Sequence, residues 1–265
     1  MTLIKLMKNK TIKIAISGAL GRMGRILIKQ LINNYNSKTI LTTAISSNNK
    51  KYIGKDIGNV LKLGSTNVKI CSDFELSKQD FDVLIDFTHP KKTMEYIDFC
   101  KNNKKKIIIG TTGFNKNEEK KIKNISKEIG VVLSSNFSIG INILIKVIED
   151  IAKIIGKKSE IKIIEYHHNK KIDSPSGTAI TLKKTIKNTI YKKFKKTKNI
   201  DISSIRMGDI SGEHSVFFSL LGEYLEITHK SINRKIFANG AIDAAVWLQS
   251  KKTGLFSMQQ VLKLI

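Results

Sequence analysis

The stretch TIKIAISGALGRMGRILIKQLI, Thr11 to Ile32, decides the fold. Its β-branched residues Ile12, Ile14 and Ile16 make a short apolar run that stops at Ser17-Gly18, and apolar residues return at helical spacing through Met23, Ile26, Leu27 and Leu31. The segment reads as strand, glycine turn, helix. Gly18, Gly21 and Gly24 fall on the turn as G-x-x-G-x-x-G. Gly18 permits the tight exit from the strand, Gly21 lets a pyrophosphate reach the backbone amides, and Gly24 lets the helix close onto the sheet. A merely structural βα turn can carry such a triplet. The flanking strand and helix, with the βα units that follow, favour dinucleotide binding.

Outward from that turn, short apolar runs recur at βαβ intervals: TILTTAISS (39–47), FDVLIDFT (81–88), KKKIIIGTTG (104–113) and GVVLSSNFS (130–138), with lysine-rich, helix-like segments between them. This pattern predicts a parallel, doubly wound sheet. The runs end in SS, DFTHP, GTTG and SSNFS at the carboxyl edge, where ligands bind in such folds. An NAD-selective site places an acid about 20 residues beyond the glycine turn, on the ribose hydroxyls. Here the second strand ends AISSNNKK, with Ser46 and Ser47 and no acid. Serines near Lys50 and Lys51 tolerate a 2′-phosphate better than a carboxylate does, so NADPH is expected ahead of NADH.

After about residue 138 the pattern changes to a helix (141–155), a strand (159–168), a helix (176–194) and three strands (203–209, 214–222, 223–231). Helices beside a run of strands make an α+β unit. The tail from 237 to 262 reads as helical and is expected to return to the first domain. The fold expectation is therefore α/β: a Rossmann-type, doubly wound parallel-sheet domain over 1–137, completed by 238–265, plus an α+β domain with a mixed sheet over 138–237.

The 265 residues carry a net charge of +25, which resembles a nucleic-acid signature. Of the 47 basic residues, however, 43 are lysine and only Arg22, Arg25, Arg206 and Arg234 are arginine. Lysine, asparagine and isoleucine are all used heavily and share A/T-rich codons, so base composition accounts for the excess without a polyanion partner. The densest run, YKKFKKTK (191–198), is read as a solvated helix end rather than a phosphate patch. No run approaches a membrane span, and MTLIKLMKNK is too short and too interrupted by lysine for a signal peptide, so a soluble cytoplasmic protein is expected. Cys71 and Cys100 lack metal-type spacing and are expected as thiols.

The loop EYHHNKKIDSPSGTA, Glu165 to Ala179, concentrates the remaining chemistry. His167 and His168 close a strand, so their side chains start toward opposite faces, and no metal site is expected from them. Lys171 follows in the same loop. Ser176-Gly177-Thr178 then opens a helix, whose free amides and dipole favour an anion. A lysine and a helix N-terminus suit a small carboxylate, and proton transfer falls to His167, with Lys171 as second candidate.

GALGRMG, DFTHP, GTTGF, SSNFSIGIN, EYHHNKKIDSPSGTA, RMGDISGEH, LEITHKS and RKIFANGA occur in an order that resembles the 4-hydroxy-tetrahydrodipicolinate reductase (dihydrodipicolinate reductase) family over nearly the whole chain. The resemblance implies a two-domain oxidoreductase that uses NAD(P)H to reduce a cyclic, unsaturated dicarboxylate, with loss of water, on the route to diaminopimelate and lysine. By position it implies His167 and Lys171 as catalytic proton donors, and His168, Ser176, Gly177, Thr178 and Thr112 as substrate contacts. The implied cofactor residues are Gly18, Ala19, Leu20, Gly21, Arg22, Met23, Ser46, Ser47, Thr88, Gly110, Thr111, Thr112, Ser134, Ser135, Asn136 and Phe137. The second domain becomes the one that binds substrate and builds a homo-oligomer, a tetramer in the family. Three departures stand out: Ser46-Ser47 replaces an acid and an arginine found in members that use NADH well, His89 stands where arginine is frequent, and KKTKNIDI replaces a longer connection before Ser203. Two other readings are another Rossmann oxidoreductase of amino-acid precursors, which leaves the paired-histidine loop unexplained, and a basic nucleic-acid-binding protein, which predicts salt-sensitive affinity and no need for His167.

Overall fold

In the computed structural model, which describes residues 11–46, 50–73 and 80–265, the opening stretch forms β1 (Ile12–Ile16), a glycine turn and α1 (Arg22–Asn34). Ser47 and the MTLIKLMKNK segment lie outside the described residues. The chain continues through β2 (Thr39–Ile45), α2 (Ile57–Val60), β3 (Ile70–Cys71), β4 (Val83–Asp86), α3 (Pro90–Asn102), β5 (Lys106–Ile109), α4 (Lys116–Ile125) and β6 (Gly130–Leu133). It then forms α5 (Ile139–Ile155), β7 (Glu160–His167), α6 (Gly177–Phe194), β8 (Asp201–Arg206), β9 (Glu213–Leu220), β10 (Glu223–Lys230), α7 (Lys235–Leu248), β11 (Gly254–Phe256) and α8 (Met258–Val261).

These elements sort into two units. One runs to Ser134 and resumes over Ala241–Ser257; the other comprises Ser135–Gly240 and Met258–Ile265. In the first, seven parallel strands take the order β3-β2-β1-β4-β5-β6-β11. Ile14, Ala15 and Ile16 of β1 and Val83, Leu84 and Ile85 of β4 are all buried, as expected of central strands covered by helices on both faces. Strand order reverses between β1 and β4, which makes their carboxyl ends the natural ligand crevice.

The second unit has a four-stranded mixed sheet, β10-β9-β7-β8, in which only β7 and β8 run parallel. Alternation along β7 buries Ile161, Ile163, Glu165 and His167 on one face. Its isoleucines pack with Val216 and Phe218 of β9 against Ile141, Leu144 and Ile148 of α5 and Leu182 and Ile186 of α6.

The tail departs from the helical expectation for 237–262. α7 ends at Leu248, and Gly254–Phe256 is a strand, β11, paired in parallel with Gly130–Val132. Three residues are too few to show an alternation, and the pairing partner lies far upstream. Trp247 packs edge-on against Phe256, ring centroids 5.1 Å apart, which helps to fix the strand. Met258–Ile265, read with 238–265 as one returning segment, group with the second unit.

Candidate functional site

In the first unit the predicted cofactor residues gather at the carboxyl edge of the parallel sheet. Gly18 leaves β1 with φ +60, a left-handed value that a side chain would strain, and the Gly21 amide donates to its carbonyl at 2.8 Å. A Cβ on Gly24 would fall 2.2 Å from the Gly18 carbonyl oxygen, so only glycine lets α1 start this close to the turn. The α1 N-terminus has no side-chain cap and no acid in its first turn. That leaves amides and a positive dipole end available to a phosphate, with Arg22 exposed beside them. These features fit a dinucleotide pyrophosphate along Gly18–Met23. Ser46, Thr88, Gly110 and Ser134 follow β2, β4, β5 and β6 on the same edge. Ser46 is buried and its amide is held by the Cys71 carbonyl.

Beneath that edge lies Asp86, fully buried at the end of β4. It accepts hydrogen bonds from Ser17 Oγ at 2.6 Å, Thr88 Oγ1 at 2.7 Å, Thr111 Oγ1 at 3.1 Å and Thr93 Oγ1. Four hydroxyls on one carboxylate tie the ends of β1, β4 and β5 to the start of α3. Sequence reasoning quoted DFT and GTTG as strand ends and assigned Asp86 no part. Gly110 is needed here too, because a Cβ would meet the Phe87 ring at 2.2 Å.

Ser135, Asn136 and Phe137, expected at the cofactor, belong to the second unit. Asn136 Nδ2 donates to Thr178 Oγ1 at 3.1 Å, and Ser135 Oγ lies 3.4 Å from Thr181 Oγ1, so this segment adjoins the start of α6. Thr112 is exposed and belongs to the first unit.

The second unit assembles the histidine loop. Ser176 is the N-cap of α6: its hydroxyl accepts from the Ala179 amide at 3.1 Å, while its own amide donates to Glu165 Oε1 at 3.0 Å. Ser176 is thus buried and engaged within the protein, whereas Gly177 is exposed and Thr178 half-buried at the helix start. Lys171 Nζ pairs with both oxygens of Asp173, at 2.8 and 2.9 Å. His168 Nε2 is 3.1 Å from Arg234 Nη2.

His167 sits at the centre of a group that the linear sequence did not reveal. Its Nδ1 is 2.9 Å from Glu165 Oε2. Glu165 pairs across the sheet with Ser204 of β8 and His214 of β9, and His167 pairs with Arg206. Arg206 Nη2 donates to Glu165 Oε1 at 3.0 Å. Burial alone would raise the Glu165 pKa, but the polar groups gathered around it, His167, Ser176, Ser204 and Arg206, hold it well below the usual carboxylate range. Burial, then the nearby His167, pushes His214 down to about 3. His214 Nε2 is 3.1 Å from Ser176 Oγ and its ring meets His167 edge-on at 5.1 Å.

Ligand-capable atoms of Glu165, His167 and His214 lie within 4.8 Å of one another. Nδ1 and Oε2 lie 2.9 Å apart as an ion pair without the alignment of a hydrogen bond, and Arg206 brings a fixed positive charge to the same carboxylate. The trio therefore reads as a proton-sharing network, suited to holding an imidazole and its charge beside a helix end that attracts carboxylates.

Comparison with known proteins covers almost the whole chain. A family model described as "Dihydrodipicolinate reductase, N-terminus" matches residues 12–137, and one described as "Dihydrodipicolinate reductase, C-terminus" matches 140–262. The chain is 49% identical over 275 residues to the 4-hydroxy-tetrahydrodipicolinate reductase of Buchnera aphidicola subsp. Baizongia pistaciae, covering 97% of this chain and all of that one. It is 47% identical over 262 residues to the enzyme of that name from Wigglesworthia glossinidia brevipalpis, covering 96% and 94%. Among solved structures, dipicolinate-bound dihydrodipicolinate reductase from Paenisporosarcina sp. TG-14 superposes with a TM-score of 0.74 at 21% identity, covering 94% of this chain and 98% of that one, which establishes likeness of fold.

Proposed function

The chain belongs to the dihydrodipicolinate reductase family, and from that premise we propose that His167 is the proton donor of its reaction, with Lys171 as second donor. The chain is an NAD(P)H-dependent oxidoreductase of diaminopimelate and lysine biosynthesis, reducing 4-hydroxy-tetrahydrodipicolinate to tetrahydrodipicolinate with loss of water. The reduced nicotinamide supplies the hydride. The glycine turn Gly18–Met23 and the strand ends at Ser46, Thr88, Gly110, Thr111 and Ser134 hold the dinucleotide, and Asp86 fixes the ends of β1, β4 and β5.

In the second unit, the α6 N-terminus at Gly177 and Thr178 takes one substrate carboxylate, and His168, 3.1 Å from Arg234, is a further substrate contact. Lys171, partnered by Asp173 in this structure, exchanges that carboxylate for one of the substrate's. His167 delivers its proton from Nε2, because Nδ1 faces Glu165. The observation that carries this reading is the 2.9 Å contact between His167 Nδ1 and Glu165 Oε2 beside a helix N-terminus.

NADPH is the favoured cofactor, since Ser46 ends β2 without an acid to repel a 2′-phosphate. We also assign the protein to the cytoplasm. Neither cysteine forms a disulfide, and no helix among the described residues is long and apolar enough to cross a membrane. A homo-oligomer, a tetramer as in the family resemblance, is proposed from the second sheet. α5 and α6 cover one face, while the other presents Phe217 and a 68% exposed Tyr224.

The test follows NADPH and NADH oxidation on addition of freshly generated substrate. Substituting His167→Ala is expected to slow turnover by about 100-fold or more, the range of a general acid. NADPH is expected to give the higher kcat/KM. Wild-type rates from the His167→Ala enzyme would remove His167 from the reaction, and a preference for NADH would reverse the cofactor assignment.

A further inference from the structure

Glu165 has no direct part in the reaction described above, yet more bonds converge on it than on any other group in the loop. Two residues before His167 on β7, it shares that residue's face of the sheet by strand alternation, and its side chain is fully buried. One oxygen receives the Ser176 amide and Arg206 Nη2, each at 3.0 Å; the other lies 2.9 Å from His167 Nδ1. A single carboxylate thus touches the proton donor and the N-cap of the helix that receives the substrate anion.

We propose that Glu165 is a positioning residue for proton transfer: it keeps a proton on His167 Nδ1, so that Nε2 is the atom that gains and loses the working proton, and it locks that ring to the α6 N-terminus. The inference rests on His167 being the proton donor. Its physical basis is the tautomer rule. A neutral imidazole carries one N–H, and an ionised carboxylate at hydrogen-bond distance can only accept, so the N–H must face it. When Nε2 is also protonated, the same carboxylate stabilises the imidazolium, as a carboxylate does beside a histidine in an acid–base triad.

The charged groups around His167 are Glu165 on its own strand, Arg206 on β8, His214 on β9, and Lys171 and Asp173 in the following loop. Lys171 and Asp173 neutralise each other, and Arg206 engages the far oxygen of Glu165. His214 is held neutral by burial. The direct contact with Glu165 is therefore the interaction left to set the His167 proton.

The experiment compares wild type, Glu165→Gln, Glu165→Asp and His167→Gln by kcat, KM and pH profile, with 15N NMR of the wild-type imidazoles assigned by loss of the His167 signals. The Glu165→Gln enzyme is expected to lose about 10- to 100-fold in kcat with KM for NADPH moved by less than about threefold, since outer partners of a working histidine contribute on that scale. Its basic limb in kcat/KM should move to lower pH, because the imidazolium has lost its stabilising charge, and Glu165→Asp should recover part of both. NMR should show the neutral His167 ring protonated at Nδ1. A slow His167→Gln enzyme beside a Glu165→Gln enzyme with wild-type rate and pH limb would overturn this inference alone, whereas a fast His167→Gln enzyme would overturn the proton-donor reading and this inference with it. Should Glu165→Gln fail to fold, the wild-type tautomer decides: an Nε2–H ring refutes the proposal.

Discussion

His214 shows how one buried side chain links the site to stability. Its pKa stands near 3 in the folded chain against an ordinary 6.5, so between those values the unfolded chain binds a proton that the folded chain refuses. Stability therefore rises with pH through that window and levels off above 6.5; a single such group contributes at most about 1.4 kcal/mol per pH unit. Glu165 acts in the same direction only below its ordinary value of 4.5, so melting between pH 7 and 5 isolates the histidines. His229, also lowered by burial, contributes to both proteins in a comparison. We expect the wild-type Tm to fall over that range more steeply than that of His214→Asn; equal slopes would mean that His214 does not titrate on unfolding. At this scale the sequence exposed His167 and Lys171, because their chemistry stands in one short loop. Glu165, Arg206 and His214 were hidden, because cross-strand pairing sets position 214 opposite 165 and position 206 opposite 167, and a linear reading carries no register. Two signals were available: the Glu165–His167 spacing of two on a strand, and the placing of two of the four arginines, Arg206 and Arg234, in the second half of a lysine-rich chain.

The β1–turn–α1 element was legible for a different reason: its constraint is local. Gly18, Gly21 and Gly24 are required by backbone approach within seven residues, and the structure returns the same turn. Replacing Gly24→Ala would drive a methyl into the Gly18 carbonyl and Ala19 backbone, at 2.2 and 2.8 Å. Moving α1 outward to relieve this is expected to cost on the order of 1–3 kcal/mol, as overpacking does, and to weaken NADPH binding by spoiling the amide cradle. Thermal melting and a fluorescence titration with NADPH check both parts; a Gly24→Ala enzyme with unchanged Tm and affinity would show that the turn has slack. The lysine-rich run at 191–198 was read as a helix end, and the structure adds what it does. Lys198 Nζ donates to the Gly156 carbonyl at 3.1 Å and to that of Ser159, so this lysine sits on the C-terminal end of α5, where a cation is favoured. β11 was missed because three residues paired to a distant strand leave no periodic trace.

At the scale of the whole molecule, the net charge of +25 comes from lysines spread along the chain. Lys13, Lys92, Lys101, Lys121, Lys146, Lys153, Lys171 and Lys230 pair with carboxylates, contacts that contribute little each where they are exposed. The exposed side of the second sheet makes the oligomer the matter to measure. Sedimentation is expected to give a tetramer, and a monomer at working concentrations would remove the sheet face as an assembly surface. The first unit's sheet also has an order of manufacture built into it. β6 stays an open edge until β11 arrives to pair with it, about 120 residues later, on the order of 6 to 24 s at typical elongation rates of 5–20 residues per second. During that interval a nascent chain emerging from the ribosome shows an apolar strand, Gly130–Leu133, paired to β5 on one side and open on the other, which is the kind of edge other chains can join. The demand for chaperone protection during synthesis thus falls on this edge, and a protein truncated before Gly254 would carry that demand permanently.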